Sequence, residues 1–196
     1  SARQVAQMRE ADVLVVNGLG FEAGLVDTID AARDDGVRVI EATDWLPGAG
    51  ADPHFFTDPE AMRRALSGIG NGLADKVDGL NTPAFRERVV AYQRQLADLS
   101  TEIKAILAPV PVGRRILVTN HEVFGYFADR YGFEVLGAVI PGGTTLAEPS
   151  AADLQDLAGE IARAQVPAIF VESSAGTRLA DALASEGADV EVVELY

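Results

Sequence analysis

Residues 84–108 read AFRERVVAYQRQLADLSTEIKAILA, a stretch with neither glycine nor proline. Phe85, Val89, Tyr92, Leu96, Leu99, Ile103 and Ile106 recur at spacings of four and three, the period of one apolar face on a helix. At 1.5 Å per residue such a helix is roughly 35 Å long. It is either the core helix of one domain or a rigid strut between two.

Both flanks are α/β in character. Upstream, Val13–Asn17 and Val37–Glu41 read as strands, with helix patterns from about Glu22 to Asp35 and from Pro59 to about Ile69. The stretch from Gly68 to Pro83 is mixed and glycine-rich. Downstream of Pro109 and Pro111, strands are expected at 116–119, 134–140, 168–171 and 190–195. Helices are expected at 123–131, 150–164 and 177–185. Strands alternating with helices imply parallel sheets covered on both faces. The expected fold is α/β: two small lobes with parallel sheets, joined by one long backbone helix. The lobes would be residues 1–83 and 109–196, with 84–108 the link. Two parallel strands bury too little to stand alone. The first lobe is therefore incomplete, or the second half completes its sheet.

The chain has 196 residues, a net charge of −14, 48% hydrophobic residues and no cysteine. Such acidity argues against nucleic acid or an anionic membrane as partner, because both demand basic patches. Without cysteine, thiolate metal sites, thiol catalysis and disulfides are excluded, and any metal must use nitrogen and oxygen ligands. No apolar run approaches the roughly 20 residues of a membrane span. Ser1-Ala2-Arg3-Gln4 runs straight into an amphipathic helix pattern with no signal peptide ahead of it, as though the chain began inside a longer one.

There are two histidines. His54 follows Asp52-Pro53, in a turn stiffened by the proline. His121 sits just past an apolar strand, at the edge where open α/β sheets bind ligands. It is either a ligand-binding residue or a helix cap. Neutral imidazole is the commonest protein ligand for transition metals, so two histidines, one in each half, suggest a site closed between two lobes. Glu172 ends another strand and is followed by Ser173-Ser174; it could ligate a metal, orient a histidine or cap the next helix. Gly18-Leu19-Gly20-Phe21-Glu22-Ala23 after the first strand, with Glu41 ending the next, outlines a dinucleotide fingerprint. An NAD-dependent oxidoreductase using the Gly18-Gly20-Ala23 turn is thus the alternative function. Against it, Glu22 would compete with a pyrophosphate for the same amides. Neither histidine has a G-x-S-x-G partner, so hydrolase chemistry has little support.

Asp52-Pro53-His54-Phe55-Phe56-Thr57-Asp58-Pro59 resembles the D-P-H-x-W-x-D-P motif of the zinc/manganese solute-binding proteins of ABC transporters, the TroA-like family. Val118-Thr119-Asn120-His121 followed by Glu122–Phe127 resembles its second motif, a strand-end histidine before an aromatic-rich helix. Phe170–Ser174 and Leu14–Glu22 are similar to two further segments, in the family's order.

The resemblance implies two α/β lobes joined by one long helix, with a metal in the cleft between them. By motif, His54 and His121 would be metal ligands. Two more would be a histidine upstream and an aspartate just past the last strand, and neither lies within this chain. The expected activity is non-catalytic: extracytoplasmic capture of a divalent ion, in the periplasm or as a cell-surface lipoprotein, and delivery to an ABC permease. Zinc is expected ahead of manganese, because imidazole suits zinc while manganese tolerates more carboxylate. The expected protein is a monomer with no nucleic-acid partner. An adhesin of the same fold is a third possibility that sequence does not separate from a transporter component.

Overall fold

Asp58-Pro59 starts a helix for reasons contained in the dipeptide. The Asp58 carboxylate accepts the Glu60 N–H at 2.9 Å, satisfying one of the amides every helix leaves open at its start. Pro59 stands at the first helical position, where a missing N–H costs nothing. The helix runs Pro59–Lys76, with Glu60 in its first turn and Lys76 in its last, as the helix dipole favours. Asp58 is buried, so Asp58→Ala is expected to cost about 1–2 kcal/mol of unfolding free energy. Urea melts of the two proteins check this; coincident curves would show that the cap contributes nothing.

The computed structural model describes residues 1–46, 50–140, 150–172, 181, 183 and 190–195. The chain divides into two units, Ser1–Ile103 and Lys104–Tyr196.

In the first unit, α1 (Ala2–Arg9) opens with a reciprocal cap between Ser1 and Gln4. Strands β1 (Val13–Val16) and β2 (Arg38–Glu41) pair in parallel, Val13 against Arg38 through Val16 against Glu41. Between them lies α2 (Val26–Asp34); α3 (Pro59–Lys76) and α4 (Pro83–Leu107) follow. Among the described residues this sheet consists of β1 and β2 alone, and the four strands of the second unit form a separate sheet. Helix α3 covers it instead.

Three sequence expectations change here. The glycine-rich stretch after Gly68 does not break α3. A Cβ at Gly68 would overlap the Trp45 indole; one at Gly72 would lie 2.9 Å from Ile40 Cδ1, and one at Gly70 would lie 3.1 Å from both methyls of Val89. These glycines let the helix approach β2, the Trp45 turn and α4 closely, which outweighs their roughly 1 kcal/mol helix penalty each. The second change concerns α2. It begins at Val26 rather than Glu22, after a 3-10 turn at Ala23–Leu25, because the Glu22 side chain is used elsewhere.

The third concerns α4. The helix is continuous over 25 residues, but the apolar face is covered only along one edge. Leu96 and Ser100 are buried and Phe85, Val89 and Ile103 half-buried, whereas Tyr92, Leu99 and Ile106, seven residues apart, are exposed. Periodicity shows which residues share a face, not which edge of it is covered.

In the second unit, β3 (Ile116–His121), β4 (Glu134–Ile140), β5 (Ala168–Glu172) and β6 (Glu191–Leu195) form a parallel sheet in the order β4-β3-β5-β6. Helix α5 (Gly125–Tyr131) crosses from β3 to β4, and α6 (Ala151–Ala164) from β4 to β5. Val118, Ile169, Val171, Ile161 and Leu183 form the buried core against the sheet. Helix α5 ends at Gly132, whose φ of +70° is the left-handed cap that glycine adopts without strain. The helix expected over 177–185 lies outside the described residues, except that Asp181 and Leu183 are helical. No helix among the described residues is long and apolar enough to cross a membrane.

Candidate metal centre

The turn that presents His54 is built by its neighbours in sequence. Asp52 Oδ1 accepts the His54 backbone N–H at 2.9 Å, the two-residue turn that aspartate makes readily. The same oxygen accepts from the ring Nδ1 at 2.8 Å. With Nδ1 donating, a neutral imidazole carries its lone pair on Nε2. The His54 carbonyl accepts from Thr57 N at 3.2 Å and Thr57 Oγ1 at 2.9 Å, and Asp58 then caps α3. The two aspartates flanking His54 therefore have separate tasks. One fixes the ring and the other starts the helix. His54 is 3% exposed.

A second loop braces the first. At the end of β1, Asn17 Nδ2 donates to the Pro53 carbonyl at 2.9 Å. Glu22 folds back so that Oε1 accepts the Asn17 N–H at 2.6 Å and Oε2 the Gly18 N–H at 3.2 Å. Gly18, Leu19 and Gly20 between them have φ of +93°, +52° and +79°. Those amides are the ones a pyrophosphate would need, and a carboxylate of the chain already holds them. The hollow beside the glycines measures about 130 Å³ and is walled by Glu22, Asp30 and Glu41 with Arg33. That is below the roughly 300–1,000 Å³ of small-molecule pockets, and three carboxylates repel a diphosphate. The glycine pattern is thus a brace for the His54 loop, and the dinucleotide reading loses its physical basis.

His121 is the last residue of β3 and is 6% exposed. The chain leaves β3 for β4 on one side and returns to β5 on the other. His121 therefore stands at the reversal point of the sheet, where open α/β sheets leave a crevice. Its carbonyl accepts from Thr119 Oγ1 at 2.8 Å and from Val123 N at 2.9 Å. Helix α5 starts at Gly125, two residues later than the sequence pattern suggested, with Phe124 rather than His121 at its N-cap. Glu172 ends β5; its side chain lies outside the described residues, as do Ser173 and Ser174.

Each histidine is thus fixed within its own unit. Among the described residues, no group of three or more His, Asp or Glu side chains gathers as an ion site. Asp52, Asn17 and Glu22 were not singled out as site residues in the sequence. The signal for Asp52 was its place two residues before His54, the spacing of an aspartate turn.

Two α/β units, each built on a parallel sheet, with one long helix in the chain between the sheets, make the fold of a metal-ion solute-binding protein. The chain belongs to the family of ZnuA, the periplasmic component A of the zinc-uptake complex, whose model matches residues 1–196. It is 34% identical over 191 residues to the zinc-binding protein TroA of Treponema pallidum, covering 93% of this chain and 61% of that protein. The structure of that protein superposes with a TM-score of 0.90 at 32% identity, over 100% of this chain and 74% of the other. The manganese-binding lipoprotein MntA of Bacillus subtilis is 29% identical, again over 93% of this chain and 61% of the relative. The laminin-binding protein Lbp of Streptococcus pyogenes shares the fold with a TM-score of 0.85 at 26% identity, over 100% of this chain and 76% of the other. The chain spans about three-fifths of the length of both of these curated relatives. Nothing in these likenesses supports an oxidoreductase.

Proposed function

We propose that the protein containing this chain captures a divalent transition metal outside the cytoplasm and delivers it to an ABC permease, without catalysing a reaction. His54 and His121 ligate one and the same ion, zinc in preference to manganese. The observation that carries this reading is the pairing of Asp52 with His54 Nδ1. A carboxylate behind an imidazole fixes its tautomer and makes Nε2 a stronger donor, which is the usual support for a metal-ligating histidine. His121, buried at a sheet reversal point, is the matching residue in the second unit. Two nitrogen ligands favour zinc over the harder manganese ion. TroA carries zinc in its name and MntA manganese, so the family accommodates both ions and the ligand set decides.

Calorimetric titration of the full-length protein with zinc, with manganese and with NAD tests the proposal. Tight zinc binding, weaker manganese binding and no heat from NAD are expected. Manganese binding tighter than zinc would reverse the metal assignment, and NAD binding would revive the oxidoreductase.

Asp52→Ala is a further test. Removing the partner of His54 Nδ1 frees the ring to rotate and to change tautomer. Zinc affinity is expected to fall about 10- to 100-fold, the range for losing such a support. An unchanged affinity would mean that Asp52 shapes the loop and nothing more.

A further inference from the structure

Beside His54 stand two phenylalanines that the metal-binding reading leaves without a task. The Phe21 ring lies edge-on to the His54 imidazole, centroids 6.0 Å apart at 82°. The Phe56 ring does the same at 6.0 Å and 76°. The two phenylalanines also meet edge-to-face, at 5.5 Å and 74°. Each of the three rings thus contacts the other two. Within the triangle, His54 is 3% exposed, while Phe21 and Phe56 are 50% and 45% exposed. Two large apolar rings stand half in water around an imidazole that is almost dry. A phenylalanine serving only the core would be covered, as neighbouring Phe55 is at 3%.

The placement of Phe21 is built rather than incidental. Its N–H donates to the Gly18 carbonyl at 3.2 Å across three consecutive left-handed residues. The next residue, Glu22, ties the start of that turn through the Asn17 and Gly18 amides, and Asn17 is bonded to Pro53, the residue before His54. Loop 17–22 and loop 52–58 are therefore held together at their bases, with one ring from each on the imidazole.

We propose that Phe21 and Phe56 form a two-ring clamp on His54 that fixes the imidazole plane and keeps water from the metal–nitrogen bond, so that Phe21 sets how fast a bound ion leaves. This rests on the reading of His54 as a ligand. An imidazole free to rock, or a bond open to water, exchanges its metal faster. A ring wedged edge-on against each side restrains the rocking, and the apolar edges exclude the water molecule that would replace the nitrogen. Phe21 is a positioning residue in this scheme: it acts on the ion through His54.

The test is zinc release from the loaded full-length protein into excess chelator, followed by stopped flow. Phe21→Ala is expected to raise the release rate about 10-fold, matching the loss of two edge-to-face ring contacts. Phe21→Leu, which keeps apolar bulk but no ring, should release zinc faster than wild type by a smaller factor. Phe21→Tyr, which keeps the ring, should restore the wild-type rate. The thermal midpoint of the metal-free protein should fall by no more than the few degrees that two edge-to-face ring contacts are worth. Wild-type release rates in both Phe21→Ala and Phe21→Leu would overturn the clamp. So would a larger fall in metal-free stability, which would make Phe21 a packing residue of the fold rather than a support of His54. His54→Ala separates this failure from that of the underlying reading: if it binds zinc as tightly as wild type, His54 is not a ligand at all.

Discussion

Replacing either His54 or His121 by alanine is expected to weaken zinc binding by the full-length protein roughly 100- to 1,000-fold. Protein zinc sites of four ligands are worth on the order of 10–16 kcal/mol. One ligand therefore carries about 3 kcal/mol, and each 1.4 kcal/mol is a factor of ten. Water can take the vacated position, but it supplies a weaker donor and no preorganised geometry. The two residues stand in different units, so the pair of substitutions also tests whether one ion is shared. Comparable losses in both variants fit a single ion held by both histidines. A loss in one variant with unchanged affinity in the other would sink the shared ion and leave a site confined to one unit. Isothermal titration with zinc under competing chelator reads both values.

The second large effect is expected in stability, at Gly18. Its φ of +93° is a conformation that L side chains rarely adopt, and an added Cβ would overlap Thr43 Oγ1 and lie 3.3 Å from Glu41 Oε2. Thr43 is buried and its N–H donates to the Asn17 carbonyl at 3.1 Å, so it has little room to retreat. Gly18→Ala combines about 1–2 kcal/mol of left-handed backbone strain with about 1–3 kcal/mol of overpacking. Gly20→Ala is the internal control. Its φ is +79°, yet nothing lies within 4 Å of the added carbon, so only the strain is expected. A difference of about 1–3 kcal/mol between the two variants in guanidinium melts would measure the contact with Thr43. Equal losses would show that the neighbours yield freely. Because Gly18 also carries an amide bound by Glu22, its replacement should loosen the His54 loop and weaken zinc binding as well.

Much of this protein is legible in the chain itself. The alternation of strands and helices follows from short continuous apolar runs set between runs of period near four, and it fixes a parallel α/β fold because parallel strands need helical crossovers. Strand β4 and the long glycine-free helix α4 lie within a residue of where the pattern puts them. The His54 turn is local as well. Asp52 is near enough in sequence to hold both the backbone N–H and the ring of His54, and Asp58-Pro59 carries its own helix start. Interactions that close over a few residues are written in the order of those residues, and resemblance by motif works for the same reason.

What only the tertiary structure decided are the contacts between residues far apart in sequence. Gly68, Gly70 and Gly72 read as helix breakers until Trp45, Val89 and Ile40 are found against them. A glycine's weak helix preference is small beside the packing it permits. Glu22 read as the start of a helix, and the Gly18–Ala23 pattern left a nucleotide turn open as the alternative. The fold makes the first a tie to Asn17 and Gly18 and the second a brace that reaches Pro53, 36 positions along the chain. The exposure of Tyr92, Leu99 and Ile106, and the meeting of Phe21 with His54 and Phe56, have the same origin. Periodicity assigns a residue to a face, but what covers that face is chosen by the packing of distant segments, and no local pattern carries that information.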